Sequence, residues 1–184
     1  GYAEMLKHGL ISEEGHWAEL MTFDMDHPDY GKLQQLVGES VQIKERIVAQ
    51  DPFEQGIRKA LNLGHTIGHA FESFALEREA PVLHGYAVAW GMVCELYLAH
   101  QKTGFPTDKM RQTVQFIKEN YGKLAFNCRD YDRLYEFMKH DKKNAAAGMI
   151  NFTLLGGIGD IRINQTATKE EINEALDFYC ETIG

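Results

Sequence analysis

Apolar positions along this chain recur mostly at three- and four-residue intervals, the period of helices with one buried face. The apolar-rich stretch 2–10 predicts a short helix, and Ser12 is placed to cap a second one, with Glu13 and Glu14 near its positive end. His27-Pro28-Asp29-Tyr30-Gly31 interrupts the pattern. From Lys32 to about Gln50, Leu33, Leu36, Val37, Val41, Ile43, Ile47 and Val48 restore it, and Asp51-Pro52 stops the run. A further helix is expected from about Arg58 to Leu76. After a loop at Glu79-Ala80-Pro81 comes a long one from about Gly85 to Thr103, ended by Gly104-Phe105-Pro106. This last helix is apolar on all sides, which places it at the centre of the core.

Two more helices are predicted at about 108–121 and 131–140. The period then changes from helical to alternating. Met149 to Leu155 has strand composition, Gly156-Gly157-Ile158-Gly159 supplies turns, and Asp160 to Asn164 alternates as a second strand. Thr168-Lys169-Glu170-Glu171 is a capping box opening a final helix to about Thr182. The expected fold is mainly α, a single multi-helix domain with a small β-hairpin near its C-terminus.

At 184 residues, with 44% hydrophobic and 25% charged residues, the chain suits one soluble globular domain. A formal charge of −8 argues against a nucleic-acid surface, which needs a basic stripe. No apolar run approaches the ~20 residues of a membrane span, so no membrane partner is expected. Cys94, Cys128 and Cys180 are scattered and lack C-x-x-C spacing, which reads as reduced cytoplasmic thiols, with Cys94 a small core residue.

The candidate chemistry is concentrated in a few segments. In Asn62-Leu63-Gly64-His65-Thr66-Ile67-Gly68-His69, two histidines four apart share one helix face and can converge on one ion or anion. Gly64 and Gly68 weaken a helix by ~1 kcal/mol each relative to alanine, which implies close approach of a backbone or ligand. The plainer alternative is a pair of surface histidines or one hydrogen-bonded core histidine. His84 lies at the mouth of the central helix, where the positive helix end favours a neutral, metal-ready imidazole. Glu4 is one turn from Lys7 and His8, a spacing that a simple surface ion pair would also produce. Lys44, Arg58 and Asn62 form a basic and polar set suited to a carboxylate and hydroxyls, with Arg58 and Asn62 continuing the His65–His69 face. Lys142 and Lys143, before the hairpin, could hold a phosphate or form a solvated turn.

Taken together and in order, these segments resemble the second domain of the 3-dehydroquinate synthases. The resemblance is carried by Gly1-Tyr2-Ala3-Glu4-Met5-Leu6-Lys7-His8-Gly9-Leu10-Ile11, by Asn62 to Ala70, by Leu83-His84-Gly85, and by Asp141-Lys142-Lys143 with Gly148 and Phe152-Thr153-Leu154-Leu155. It implies that Glu4, His65 and His84 are ligands of a catalytic zinc, or of cobalt in its place, and that His69 contacts substrate. It also implies that Lys7, Lys44, Arg58, Asn62 and Lys142 or Lys143 line the substrate pocket, with Glu54 as a further pocket carboxylate. The family's reaction turns a seven-carbon keto-acid sugar phosphate (DAHP) into 3-dehydroquinate and phosphate through transient oxidation by NAD, elimination, reduction and aldol closure. Tyr86 and Trp90 depart from the family's usual glutamate and smaller apolar residue.

No glycine-rich fingerprint here joins a strand to a helix, so the NAD-binding unit is expected in a preceding domain that this chain lacks. The chain alone is expected neither to bind NAD well nor to turn over, and a homodimer is expected of the complete enzyme. Three other readings stay open: another sugar phosphate cyclase of inosose-synthase type, a metal-dependent polyol dehydrogenase, and a non-catalytic helical binding domain. The last requires Glu4, His65 and His84 to lie apart in space.

Overall fold

In the computed structural model, which describes residues 1–141 and 148–184, the helices follow the apolar period closely. They are α1 (Tyr2–Ser12), α2 (Glu14–Thr22), α3 (Tyr30–Gln50), α4 (His65–Glu77), α5 (His84–Thr103), α6 (Thr107–Tyr121), α7 (Tyr131–Asp141) and α8 (Lys169–Thr182). Between α7 and α8 lies a two-stranded antiparallel sheet, β1 (Met149–Gly157) with β2 (Asp160–Thr168). No helix among the described residues is long and apolar enough to cross a membrane.

Helix α5 is the axis of the fold. Twelve of its twenty residues are buried, among them Val88, Met92, Val93, Cys94 and Leu96, so it has no solvent face along most of its length. Helices α1, α4, α6 and α8 and strand β1 all pack on it. An amphipathic helix would leave one side of this position unsatisfied, and the all-round apolar sequence fits it. Gly104, at φ +76°, ends α5 in the left-handed conformation that glycine adopts without a β-carbon penalty.

The α4–α5 crossing is unusually close because Gly91 has no side chain. A β-carbon there would sit 2.1 Å from the Gly64 carbonyl oxygen and 2.6 Å from the Gly68 nitrogen. A β-carbon at Gly68 would likewise lie 3.0 Å from the Ala87 carbonyl oxygen. The glycines of the histidine segment therefore serve backbone approach between two helices that each carry histidines.

Three expectations need correction. The run from Arg58 to Leu76 is not one helix: Ile57–Asn62 is a 3-10 helix, Leu63 and Gly64 form a turn, and Gly64 at φ +81° precedes the true start of α4 at His65. The Asp51 carboxylate draws the amides of Gln55, Gly56 and Arg58 around itself and sets up the tighter coil. Ser12 does not cap α2, because α1 continues through it; its hydroxyl turns back to the Gly9 carbonyl, and Glu13 takes the cap position. The strands run two and four residues longer than their alternation suggests. A bulge between Phe152 and Leu154, with Asn164 at φ +56°, lets pairing continue past the break in pattern.

Strand β1 buries Ile150, Phe152, Thr153, Leu154 and Leu155, while β2 keeps mostly part-exposed positions. The hairpin tip rests on α1: the Gly159 amide donates to the Leu10 carbonyl at 2.9 Å, and a β-carbon at Gly159 would meet the Ser12 carbonyl oxygen at 2.4 Å. The capping box read from the sequence is present, with Thr168 and Glu171 satisfying each other's backbone amides. Helix α1, which carries Glu4, is thus held by the hairpin, by α3 and by α5.

Candidate metal centre

Each histidine of interest sits at or near a helix start, where the backbone is fixed by the α4–α5 crossing. His65 is the first residue of α4, His69 lies one turn on, and His84 is the first residue of α5. One ring nitrogen from each comes within 4.8 Å of the others. The ring centroids are 5.3 Å apart for His65–His69 and for His65–His84, and 5.8 Å for His69–His84. Glu4, from the first turn of α1, completes the group. Its Oε1 lies 3.3 Å from His65 Nε2 and 3.7 Å from His84 Nε2.

Two of the rings are oriented from behind. His65 Nδ1 is 3.1 Å from the Leu63 carbonyl oxygen. A carbonyl only accepts, so Nδ1 carries the proton and Nε2 faces Glu4, able to offer a lone pair when the ring is neutral. His84 Nδ1 pairs with Glu72 Oε1 at 3.3 Å, which turns its Nε2 toward Glu4. A ligating imidazole held through its far nitrogen by a carbonyl or carboxylate is the usual support of a metal site. One carboxylate oxygen and two or three imidazoles form a borderline donor set that suits zinc and its neighbours. The residues present therefore fit such an ion.

The electrostatics around Glu4 are strong. Burial alone would raise its carboxyl, but the hydrogen bond that His65 Nε2 donates when its ring carries both protons, and the ion pair with Lys7, outweigh that and hold it well below the usual carboxylate range. Lys7 is only 4% exposed, and its ammonium also donates to the Leu61 carbonyl at 2.7 Å. Burial lowers the Lys7 pKa, with the Glu4 carboxylate working against that shift. His8, on the side toward α3, shares a short hydrogen bond with Ser40; burial and then the Lys7 charge push its pKa down to about 4.

The other expected pocket residues fall in two groups. Lys44, on α3, lines an open cleft together with Glu4 and His8. Arg58 and Asn62 lie on the 3-10 segment, so they do not continue the His65–His69 face as a single helix would have placed them. Arg58 donates to the Pro52 carbonyl at 2.8 Å, and Asn62 donates to Glu54 Oε1 at 3.1 Å. The Lys7 bond to Leu61 ties this segment to the Glu4 site. Lys142 and Lys143 lie outside the described residues.

Sequence reasoning missed two carboxylates. Glu72 follows His65 and His69 at helical spacing, and that periodicity was its signal. Glu95 sits within an otherwise apolar run and is fully buried, accepting from the Gly64 amide at 3.0 Å and the Ile67 amide at 3.1 Å. An acid in the middle of the most apolar helix was the visible clue. The two departures, Tyr86 and Trp90, form an aromatic group with Tyr121, and the Trp90 indole donates to the Gly122 carbonyl at 3.2 Å.

Known proteins share this arrangement of chain. The curated 3-dehydroquinate synthase of Parabacteroides distasonis is 61% identical over 184 residues, covering 100% of this chain and 52% of that protein. The one from Bacillus pumilus is 35% identical over 183 residues, covering 96% of this chain and 48% of that protein. The chain thus spans about half the length of the curated relatives it matches. Among solved structures, a 2-deoxy-scyllo-inosose synthase complexed with carbaglucose-6-phosphate, NAD+ and Co2+ superposes with a TM-score of 0.74 at 21% identity, over 95% of this chain and 49% of that one. A 2-epi-5-epi-valiolone synthase from Streptomyces hygroscopicus subsp. jinggangensis 5008, with NAD+ and Zn2+ bound, gives 0.72 at 21% identity, over 97% of this chain and 50% of that one. These two show a common fold. A family model described as 3-dehydroquinate synthase C-terminal matches residues 1–144, and the chain belongs to that family.

Proposed function

We propose that this chain is the metal- and substrate-binding part of a 3-dehydroquinate synthase, which converts DAHP to 3-dehydroquinate and phosphate. The observation that carries the reading is the meeting of Glu4 with His65 and His84, three side chains from three separate helices, within a chain 61% identical to a curated 3-dehydroquinate synthase. Glu4, His65 and His84 would hold the divalent ion, zinc or cobalt, with His69 beside them facing substrate. Such an ion supplies Lewis-acid polarisation of a substrate oxygen. NAD supplies the hydride chemistry, and in this reading the remainder of the full-length protein binds it.

The chain's own residues then divide the work. Lys7 keeps the Glu4 carboxylate ionised and fixed, and presents a buried ammonium to substrate oxygens. Arg58 exchanges its Pro52 carbonyl partner for the substrate carboxylate, with Lys44 as a second cation, because an arginine fork matches a carboxylate in charge and shape. Asn62, braced on Glu54, offers an amide to a hydroxyl. Lys142 is assigned to the phosphate on family resemblance alone. The complete enzyme is read as a cytoplasmic homodimer of phosphorus–oxygen lyase type with a small sugar-phosphate substrate.

A sister-cyclase reading has the shared fold at 21% identity in its favour, against the much higher identity to dehydroquinate synthases. The test is turnover by the full-length protein with zinc and NAD. Phosphate release and 3-dehydroquinate formation from DAHP are expected, with none from a sugar phosphate that lacks a carboxylate. Turnover of the carboxylate-free substrate and not of DAHP would move the assignment to the sister cyclases.

A further inference from the structure

The buried carboxylate of Glu95 has no place in the chemistry above, yet its two oxygens take up backbone amides at the start of α4. Glu95 Oε1 accepts from Gly64 at 3.0 Å and Oε2 from Ile67 at 3.1 Å, on either side of His65. The first amides of a helix have no partner within it, and a neighbouring side chain that satisfies two of them fixes where the helix begins. Here the cap comes from another helix, α5, whose own first residue is His84. Gly91, one turn before Glu95 on α5, lets the Gly64 carbonyl approach so closely that a β-carbon would stand 2.1 Å from it. One rigid helix therefore presents His84 at its start and grips the backbone around His65 further along.

We infer that Glu95 is a positioning residue for the metal centre, setting the separation of His65 from His84 by capping α4 from α5. The inference rests on the metal-site reading above. It does not require Glu95 to touch the ion or the substrate. A carboxylate buried at 0% exposure is costly to place in a core, and its use as a two-amide cap beside a ligand is the return on that cost. Glutamine in its place keeps the shape but turns an N–H donor toward one of the two amides, so one bond is lost and the helix start loosens. Supports of this kind, outside the ligands themselves, typically change metal affinity by about 10–100-fold.

The experiment compares the full-length protein with its Glu95→Gln and Glu95→Asp variants and with Leu176→Ala, a core truncation on α8. Aspartate keeps the charge but is too short to span both amides, so the comparison does not depend on one variant folding. Three quantities are measured for each: the zinc dissociation constant by chelator competition, the visible absorption of the cobalt form, and the thermal midpoint. Both Glu95 variants are expected to bind zinc about ten-fold or more weakly and to shift the cobalt bands. Leu176→Ala is expected to lower the midpoint while leaving affinity and bands as in the parent. Unchanged affinity and spectrum in the Glu95 variants, in a parent that does hold metal, overturns the inference alone, as does an equal loss in Leu176→Ala. A parent that holds no metal overturns the metal reading and this inference with it.

Discussion

Replacing Gly91 with alanine probes the crossing on which the site is built. The new β-carbon would start 2.1 Å from the Gly64 carbonyl oxygen, 2.6 Å from the Gly68 nitrogen and 2.8 Å from the Gly68 α-carbon. Real contacts of this kind do not fall below 3.0 Å, so α4 must retreat from α5 by close to 1 Å. The atoms in the way are backbone, and no rotamer change relieves them. Overpacking of a core costs about 1–3 kcal/mol, and this case belongs at the upper end. Alanine in a helix returns up to about 1 kcal/mol relative to glycine. The net expectation is a loss of about 2 kcal/mol, or a thermal midpoint lower by about 4–8 °C for a chain of this size.

Gly38, exposed on α3 with nothing within 4 Å of its missing β-carbon, is the matched control. Gly38→Ala should stabilise by about 0.5–1 kcal/mol, so the same chemical change takes opposite signs at the two sites. Thermal unfolding followed by the helical circular-dichroism signal measures both. A Gly91→Ala variant as stable as its parent would refute the close crossing, whatever Gly38→Ala does.

Two further outcomes follow from the electrostatics and the pocket. His8, with a pKa near 4 against an ordinary 6.5, stays neutral in the fold while the unfolded chain takes up a proton, so stability is expected to fall as pH drops from about 6.5 toward 4. The loss approaches about 1.4 kcal/mol per pH unit, or about 3 kcal/mol in all, and is measured with chelator present; a His8→Gln variant with the same slope would remove His8 as its source. The depressed Glu4 carboxyl adds its own loss only below its ordinary value of 4.5. Arg58→Ala in the full-length protein should raise KM for DAHP by about ten-fold or more with a smaller change in kcat, since a charge-assisted bond contributes about 1.5–3 kcal/mol; an unchanged KM would take Arg58 off the carboxylate.

Most helices were legible because their burial is periodic, α5 because its apolar run is long and all-round, and the hairpin because its period changes from helical to alternating. The Thr168 cap was legible because both partners lie within four residues. The break before His65 was hidden because Leu61, Leu63 and Ile67 keep an apolar rhythm through it, and a 3-10 coil differs from an α-helix by little in that pattern. Gly64 was the one mark of it, and its meaning depended on Gly91, more than twenty residues away. The same limit applies to the site. Family motifs named Glu4, His65 and His84, but residue spacing alone left Glu4 as a surface ion pair. Only packing of α1 against α5 and the 3-10 segment before α4 puts its carboxylate between the imidazoles. Glu72 and Glu95 act across elements too, so no local pattern could assign their partners.

The most direct test of the account is metal content, measured on the full-length protein and on its His65→Ala, His84→Ala and His69→Ala variants after removal of loosely held ions. One zinc or cobalt per chain is expected in the parent and in His69→Ala, with loss from His65→Ala and His84→Ala at unchanged helical content. Full metal in the His65 and His84 variants, or none in the parent, would contradict the centre formed by Glu4, His65 and His84.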